Sequence, residues 1–253
     1  MALIEIRNLH KAFAGRAVLC GVNLEIPQGE VTTIIGRSGI GKSVLLKHVI
    51  GLLEPDSGSI LLEGRDLLQL GRRGRSAVKG RFSYMFQHLA LLDSLTVYEN
   101  IALPLEEHAR RGSAGDIRRR VLAMAERMEL EDTLAQYPSQ LSGGMAKRVA
   151  FARALVTDPE IVLFDEPTTG LDPIRKRMVH DMIARHQKDK GFTAVLVSHD
   201  IPDVFEVSQQ VAMLEDGVII AAGTPAEIQA SENLRVQGFL RGTEGLESGI
   251  ISV

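Results

Sequence analysis

Between positions 36 and 43 the chain reads Gly36-Arg37-Ser38-Gly39-Ile40-Gly41-Lys42-Ser43, which fits G-x-x-x-x-G-K-[ST]. The composition suits one task, holding a polyphosphate. Glycines let the backbone curl so that successive N–H groups face one phosphate, and a helix N-terminus adds partial positive charge. Lys42 is placed to reach the β- and γ-phosphates and Ser43 to ligate Mg²⁺, with the loop residues and Val44 completing the nucleotide contact. Ordinary residue usage produces such a run by chance in roughly one chain of this size in a hundred. It marks a nucleotide site.

A phosphate loop alone serves kinases, GTPases and ATPases alike. A second acidic run narrows the choice. Ile161-Val162-Leu163-Phe164-Asp165-Glu166 is an apolar strand ending in two carboxylates, and strand ends are where ligands sit in parallel sheets. Asp165 is suited to holding Mg²⁺ through water, and Glu166 to acting on the attacking water. Acids at a strand end also begin ordinary solvated loops; beside a phosphate loop that alternative loses its weight. A third run, Leu141-Ser142-Gly143-Gly144-Met145, precedes a helix on which Met145, Val149, Ala152 and Val156 share a face. By itself it reads as a cap with flexible glycines.

The elements that must position these residues follow from patterning. Alternation marks strands at 3–7 and 18–26, and a continuous apolar strand spans 31–35 before a helix that begins near Lys42. Residues 54–64 read as turn, strand and turn, and 81–87 as a further strand. Segments 97–110, 116–130 and 143–157 have helical periodicity. Strand character returns at 160–165, 193–198 and 211–220, with a helix over roughly 172–189 between the first two and a short helical stretch within 224–240. Strand–helix–strand order at both ends with a helical insert predicts an α/β core with a parallel sheet plus a helical lobe.

Composition sets bounds. The 253 residues include 45% hydrophobic and 24% charged, enough for one large domain or two lobes and incompatible with wholesale disorder. The 29 basic and 32 acidic residues leave a formal charge of −3, against a role on the nucleic-acid backbone. Trp is absent and aromatics reach only 4%, which disfavours base- or sugar-stacking platforms. The lone Cys20 is expected to be a buried small hydrophobe. The N-terminus does not read as a signal peptide, and no apolar run approaches membrane-spanning length, so the chain is expected in the cytoplasm.

These motifs, together with the DEPTTGLDP run at 165–173 and Ser198-His199-Asp200 after a strand, closely resemble the ATP-binding-cassette (ABC) ATPases over about residues 3–225, in family order and spacing. The resemblance implies a P-loop NTPase core with a mostly parallel sheet, a β-rich N-terminal part and a helical subdomain. It divides the chain into core at 1–87, helical signature lobe at 88–157, core again at 158–225 and a C-terminal extension at 226–253. It also implies roles for particular residues. Phe13 matches the aromatic that stacks on adenine. Gln87 matches the glutamine that touches Mg²⁺ and the attacking water and senses a membrane partner. Glu166 matches the catalytic carboxylate and His199 the switch histidine on the γ-phosphate. Ser142, Gly143, Gly144 and Asp172 match groups that meet ATP or the neighbouring subunit across a homodimer. The chain departs from the pattern where the commonest signature ends in Gln: here Met145-Ala146-Lys147-Arg148 follows the glycines.

That departure, the Leu91–Asn100 stretch, Gly41–Leu53 and Arg235–Gly242 are similar to the ATPases of lipid-asymmetry (Mla) and mammalian-cell-entry (Mce) type transporters. The expectation is an ATPase on the cytoplasmic face of the inner membrane, powering phospholipid movement through a separate permease docked near Gln87 and 88–105. Amino-acid and metal importers share every catalytic motif, and a soluble ABC ATPase of cluster assembly is a further alternative. Two basic clusters, Arg72-Arg73-Arg75 with Lys79 and Arg81, and Arg118-Arg119-Arg120, suit either solvated faces or attraction to an anionic leaflet. Leu234, Val236, Phe239 and Leu240 are expected to dock the 234–240 stretch on the chain itself or a neighbour.

Overall fold

The computed structural model describes residues 2–107 and 113–242. Strands β1 (Ala2–Phe13) and β2 (Arg16–Pro27) form an antiparallel hairpin, each longer than its alternation predicts because bulges between Ile6 and Leu9, and again near Lys11, break the period. Leu19 takes the inward position on β2, which leaves Cys20 exposed and corrects its expected burial. Strand β3 (Val31–Ile35) is buried along its length and runs through the phosphate loop into helix α1 (Lys42–Val49). Strands β4 (Ser57–Leu62) and β5 (Arg65–Asp66) complete a sheet of order β2-β1-β4-β5. Helix α2 (Arg72–Lys79) follows, unanticipated because its basic run lacks an apolar stripe, and then β6 (Phe82–Met85).

Among the described residues the helical segment between β6 and the rest of the sheet contains α3 (Val97–Glu107), α4 (Ala114–Arg127) and α5 (Gly143–Leu155). The last residues predicted for the first of these, 108–110, lie outside the described residues. Ser113 and Asp116 close a reciprocal capping box on α4. Val97, Ile101, Ala102 and Leu105 of α3 are buried, so the apolar content of the 88–105 segment goes largely to the lobe's own core; Leu92 remains exposed.

The core then resumes with β7 (Ile161–Asp165), α6 (Pro173–Lys190), β8 (Thr193–Val197), β9 (Gln210–Glu215) and β10 (Val218–Gly223). The single strand expected over 211–220 is a hairpin, turned at Asp216-Gly217. The six-stranded sheet has order β10-β9-β3-β8-β7-β6 and is parallel except for β9–β10. Both faces are covered, as all-apolar parallel strands require. Ile161 and Leu163 of β7 face a core shared with α1 and the first sheet, whereas Val162 and Phe164 face the one shared with the helical lobe. Helices α7 (Pro225–Gln229) and α8 (Leu234–Arg241) end the described chain. Val236 is buried and Phe239 and Leu240 pack on the same core, so α8 docks on its own chain. Leu234, expected to share in this docking, is 82% exposed because it opens the helix on the outward side.

The basic clusters are in large part neutralised within the chain. Arg75 pairs with Glu54 at 3.0 Å, Arg81 with Glu63 and Glu160 at 2.7 Å each, Arg119 with Asp116 and Arg120 with Asp158 at 2.8 Å each. Among the described residues no helix is long and apolar enough to cross a membrane.

Candidate active site

The parallel register brings the C-terminal ends of β3, β6, β7 and β8 to one edge of the sheet, and the polar residues gather there. From β3 the chain enters the phosphate loop at Gly36, where a Cβ would stand 2.4 Å from the Leu214 carbonyl oxygen. Lys42, at the start of α1, is only 3% exposed. Its Nζ donates to the carbonyls of Gly36 and Arg37 at 2.9 and 2.8 Å and lies 3.7 Å from Glu166 Oε1. Burial pulls the ammonium below its ordinary pKa, with Glu166 and then Asp165 acting in the opposite sense. A desolvated cation in a ring of main-chain dipoles has much to gain from an incoming phosphate.

Asp165 closes β7 and is buried. Its Oδ1 accepts from Ser43 Oγ at 2.6 Å and its Oδ2 from the Tyr84 hydroxyl at 2.8 Å. Burial, reinforced by the carboxylate, pushes Tyr84 ionisation far up, which keeps it a donor. Tyr84 was not anticipated. It lies in register with Leu163, two residues before Asp165, and only this strand pairing reveals the contact. Ser43, Asp165 and Gln87 offer hydroxyl, carboxylate and amide oxygens, the hard donor set that Mg²⁺ takes, so the residues fit that ion.

Glu166 follows with a left-handed backbone, φ 48°, unusual for a residue other than glycine. Its Oε2 accepts from Gln87 Nε2 at 3.2 Å and from Thr169 Oγ1 at 3.0 Å. His199 Nδ1, beyond the end of β8, stands 3.6 Å from Oε1. The structure therefore unites Lys42, Ser43, Gln87, Asp165, Glu166 and His199. A carboxylate so placed can accept a proton from a water, and the adjacent amide and imidazole are near enough to hydrogen-bond that water.

Other expected residues lie elsewhere. Ser142, Gly143 and Gly144 begin α5, where Ser142 accepts from the Met145 N–H at 3.3 Å. Ser142 and Gly144 line a groove of about 360 Å³ with Met145, Leu171 and Arg175. Asp172 caps α6 through the Arg175 N–H at 3.1 Å. Phe13 is 42% exposed at the end of β1, with Lys11 Nζ 5.5 Å from its ring centre. It is no core residue, and Lys11 lies over one face of its ring. Val18 of β2 packs on the same core as Ile40 and Val44, tying that hairpin to the phosphate loop.

The profile of the ABC transporter family matches residues 19–169. The chain belongs to the ABC transporter family. This ABC ATPase is 38% identical over 240 residues to the intermembrane phospholipid transport system ATP-binding protein MlaF of Haemophilus influenzae, covering 95% of this chain and 90% of that one. It is 37% identical over 248 residues to the methionine import ATP-binding protein MetN of Caulobacter vibrioides, covering 96% of this chain and 74% of that one. The solved structure of cbiO1 from Clostridium perfringens, part of the transporter complex cbiONQ, superposes with a TM-score of 0.82 at 30% identity over 95% of both chains. The expected P-loop NTPase fold is borne out. So is the function at its coarser level, an ATP-binding and ATP-hydrolysing subunit of an ABC transporter.

Proposed function

We propose that two copies of this cassette close head to tail around ATP and Mg²⁺ on the cytoplasmic face of the inner membrane, powering phospholipid movement by a separate permease of the lipid-asymmetry or mammalian-cell-entry type. The observation that carries the substrate is the similarity to MlaF along nearly the whole of both chains. The similarity to MetN favours a second reading, an amino-acid importer, over a smaller share of the relative's length.

In this reading the phosphate loop, residues 36–43, and Val44 hold the polyphosphate, and Phe13 stacks on adenine. Bound Mg²⁺, held by Ser43, Asp165 and Gln87, would neutralise charge on the phosphates. Glu166 takes the proton of the attacking water, and His199 faces the γ-phosphate. Ser142, Gly143 and Gly144 of one copy face the phosphate loop of the other, and Asp172 lies at the crossing. Ser142 and Gly143, exposed at the start of α5 and apart from the buried cluster, support completion of the site in trans. The helical segment, 88–157, then moves against the core formed by 1–87 and 158–225, carrying the permease contact beside Gln87, while 226–253 serves assembly.

The test is purification of the intact complex from membranes, with lipid extraction and ATPase measurement. Co-purifying permease and bound phospholipid are expected. A complex without lipid whose ATPase responds to an amino acid would favour the MetN-like reading, and failure to associate with membranes would point to a soluble cassette.

A further inference from the structure

Helix α5 is enclosed almost all round, and within it lies a lysine. Lys147 is 6% exposed. Its Nζ donates to two main-chain carbonyls, Pro167 and Thr169, at 2.7 Å each. Those carbonyls flank Thr168, whose hydroxyl donates to Asp200; Lys176 of α6 holds the same carboxylate. Burial lowers the Lys147 pKa to about 8, partly countered by Asp200 at longer range. A position that only needed filling would take methionine without the cost of desolvating an ammonium. Lys147 is therefore present for its reach and its donors.

What it holds is the loop of Glu166. That residue carries the left-handed φ of 48°, and its carboxylate accepts from Thr169 in the same loop. Fixing the backbone at 167 and 169 fixes the direction of the carboxylate. Six residues along α5, Arg153 makes the matching contact to the other half of the site. Its guanidinium donates to the carbonyls of Leu89 and Ala90, just after Gln87. Gln87 and Glu166 meet at 3.2 Å. One helix, capped by Ser142, thus grips both loops whose side chains converge.

We infer that Lys147 is a positioning residue that ties the Glu166 loop to the signature helix α5, so that the carboxylate is aimed only while α5 is seated. The inference rests on the reading of Glu166 as the water-activating carboxylate.

The experiment uses the full chain and measures kcat, KM and equilibrium affinity for a fluorescent ATP analogue. Lys147→Met keeps length and removes the donors, Lys147→Gln keeps a donor on a shorter arm, and Lys147→Arg keeps cation and donors. A misplacement of about an ångström costs on the order of 10²-fold, so kcat is expected to fall by about 10- to 100-fold in the Met variant. KM and affinity should stay within about twofold, with Arg restoring most of the rate and Gln falling between. A Met variant with kcat within about threefold of wild type overturns the inference. So does parallel loss of kcat and affinity in Met and Arg alike, the mark of a merely structural lysine. If the Met variant does not fold, Gln and Arg decide by the same criteria. Glu166→Gln sets the floor: its loss of turnover beside an active Met variant overturns the tether alone, whereas wild-type turnover in Glu166→Gln removes the premise.

Discussion

Two glycines of the phosphate loop separate what the fold needs from what the ligand needs. At Gly36 φ is 148°, and a Cβ would lie 2.4 Å from the Leu214 carbonyl oxygen. That oxygen is main chain on β9, which pairs in parallel with β3 through Ile35↔Met213, so it can retreat only by disturbing the ladder. At Gly39 φ is 77°, and a Cβ would meet nothing within 4 Å. Gly36→Ala combines backbone strain of about 1–3 kcal/mol with overpacking of about 1–3 kcal/mol, a loss of about 2–6 kcal/mol. Gly39→Ala incurs only the left-handed penalty, about 1–2 kcal/mol. For a chain of this length each kcal/mol shifts Tm by about 2–4 °C. Thermal unfolding followed by circular dichroism should therefore show Gly36→Ala losing about 4–24 °C and Gly39→Ala about 2–8 °C. Binding of ATP should invert the order of interest. The open space at Gly39 is where phosphate is expected, so Gly39→Ala should keep its fold yet lose affinity. A Gly36→Ala variant melting within about 2 °C of wild type, or one more stable than Gly39→Ala, would refute this steric reasoning.

Three further outcomes are expected. Glu166→Gln should bind ATP normally and lose about 10²- to 10⁴-fold in turnover, read by phosphate release; wild-type turnover would transfer the role to another group, His199 first. Specific ATPase activity should rise with cassette concentration until dimers saturate, and concentration-independent turnover by a monomer would contradict completion of the site in trans. His180 is 2% exposed with neither ring nitrogen hydrogen-bonded among the described residues, and burial holds its pKa below 6.5 against the opposing pull of Asp200 and Asp203. The unfolded chain then takes up the proton first as pH falls, so stability is retained above about pH 6.5 and lost below it, by at most about 1.4 kcal/mol per pH unit for this group. Tm measured from pH 7.5 down to 5.5 should decline less steeply in His180→Leu, and an unchanged slope would assign the acid sensitivity to His48 or His186, which burial lowers in the same way.

The phosphate loop, the carboxylate strand and the strand–helix order were legible because each is local: a glycine spacing, an apolar run, a change of period. Where legibility failed, the deciding contact was remote in sequence. Strands β1 and β2 outran their alternation because bulges shift the register while their mutual pairing runs on to Phe13 and Arg16. An Asp-Gly turn at 216–217 was available as a hairpin signal, but the apolar residues on either side read as one strand. Tyr84 and Thr169 touch the carboxylates only through strand register and loop curvature. Lys147 reads as an ordinary helix-surface charge. Its one usable signal was that the helix from Gly143 to Leu155 has apolar or small residues on nearly every side, which leaves little room for a solvated lysine.

The cost of this arrangement falls on stability and its benefit on chemistry. Lys42, Asp165 and Glu166 are buried ionisable groups at one sheet edge, and taking each out of water is unfavourable by several kcal/mol before its partners are counted. The partners compensate unequally. Asp165 receives two hydroxyl donors at 2.6 and 2.8 Å, whereas Glu166 receives an amide at 3.2 Å, a hydroxyl at 3.0 Å and two nitrogens no closer than 3.6 Å. The more loosely held carboxylate also has the strained backbone. The two adjacent acids are thus distinguished by their surroundings alone: Asp165 is closed in by two short hydroxyl donors, whereas Glu166 keeps longer contacts that leave room for a further donor beside it.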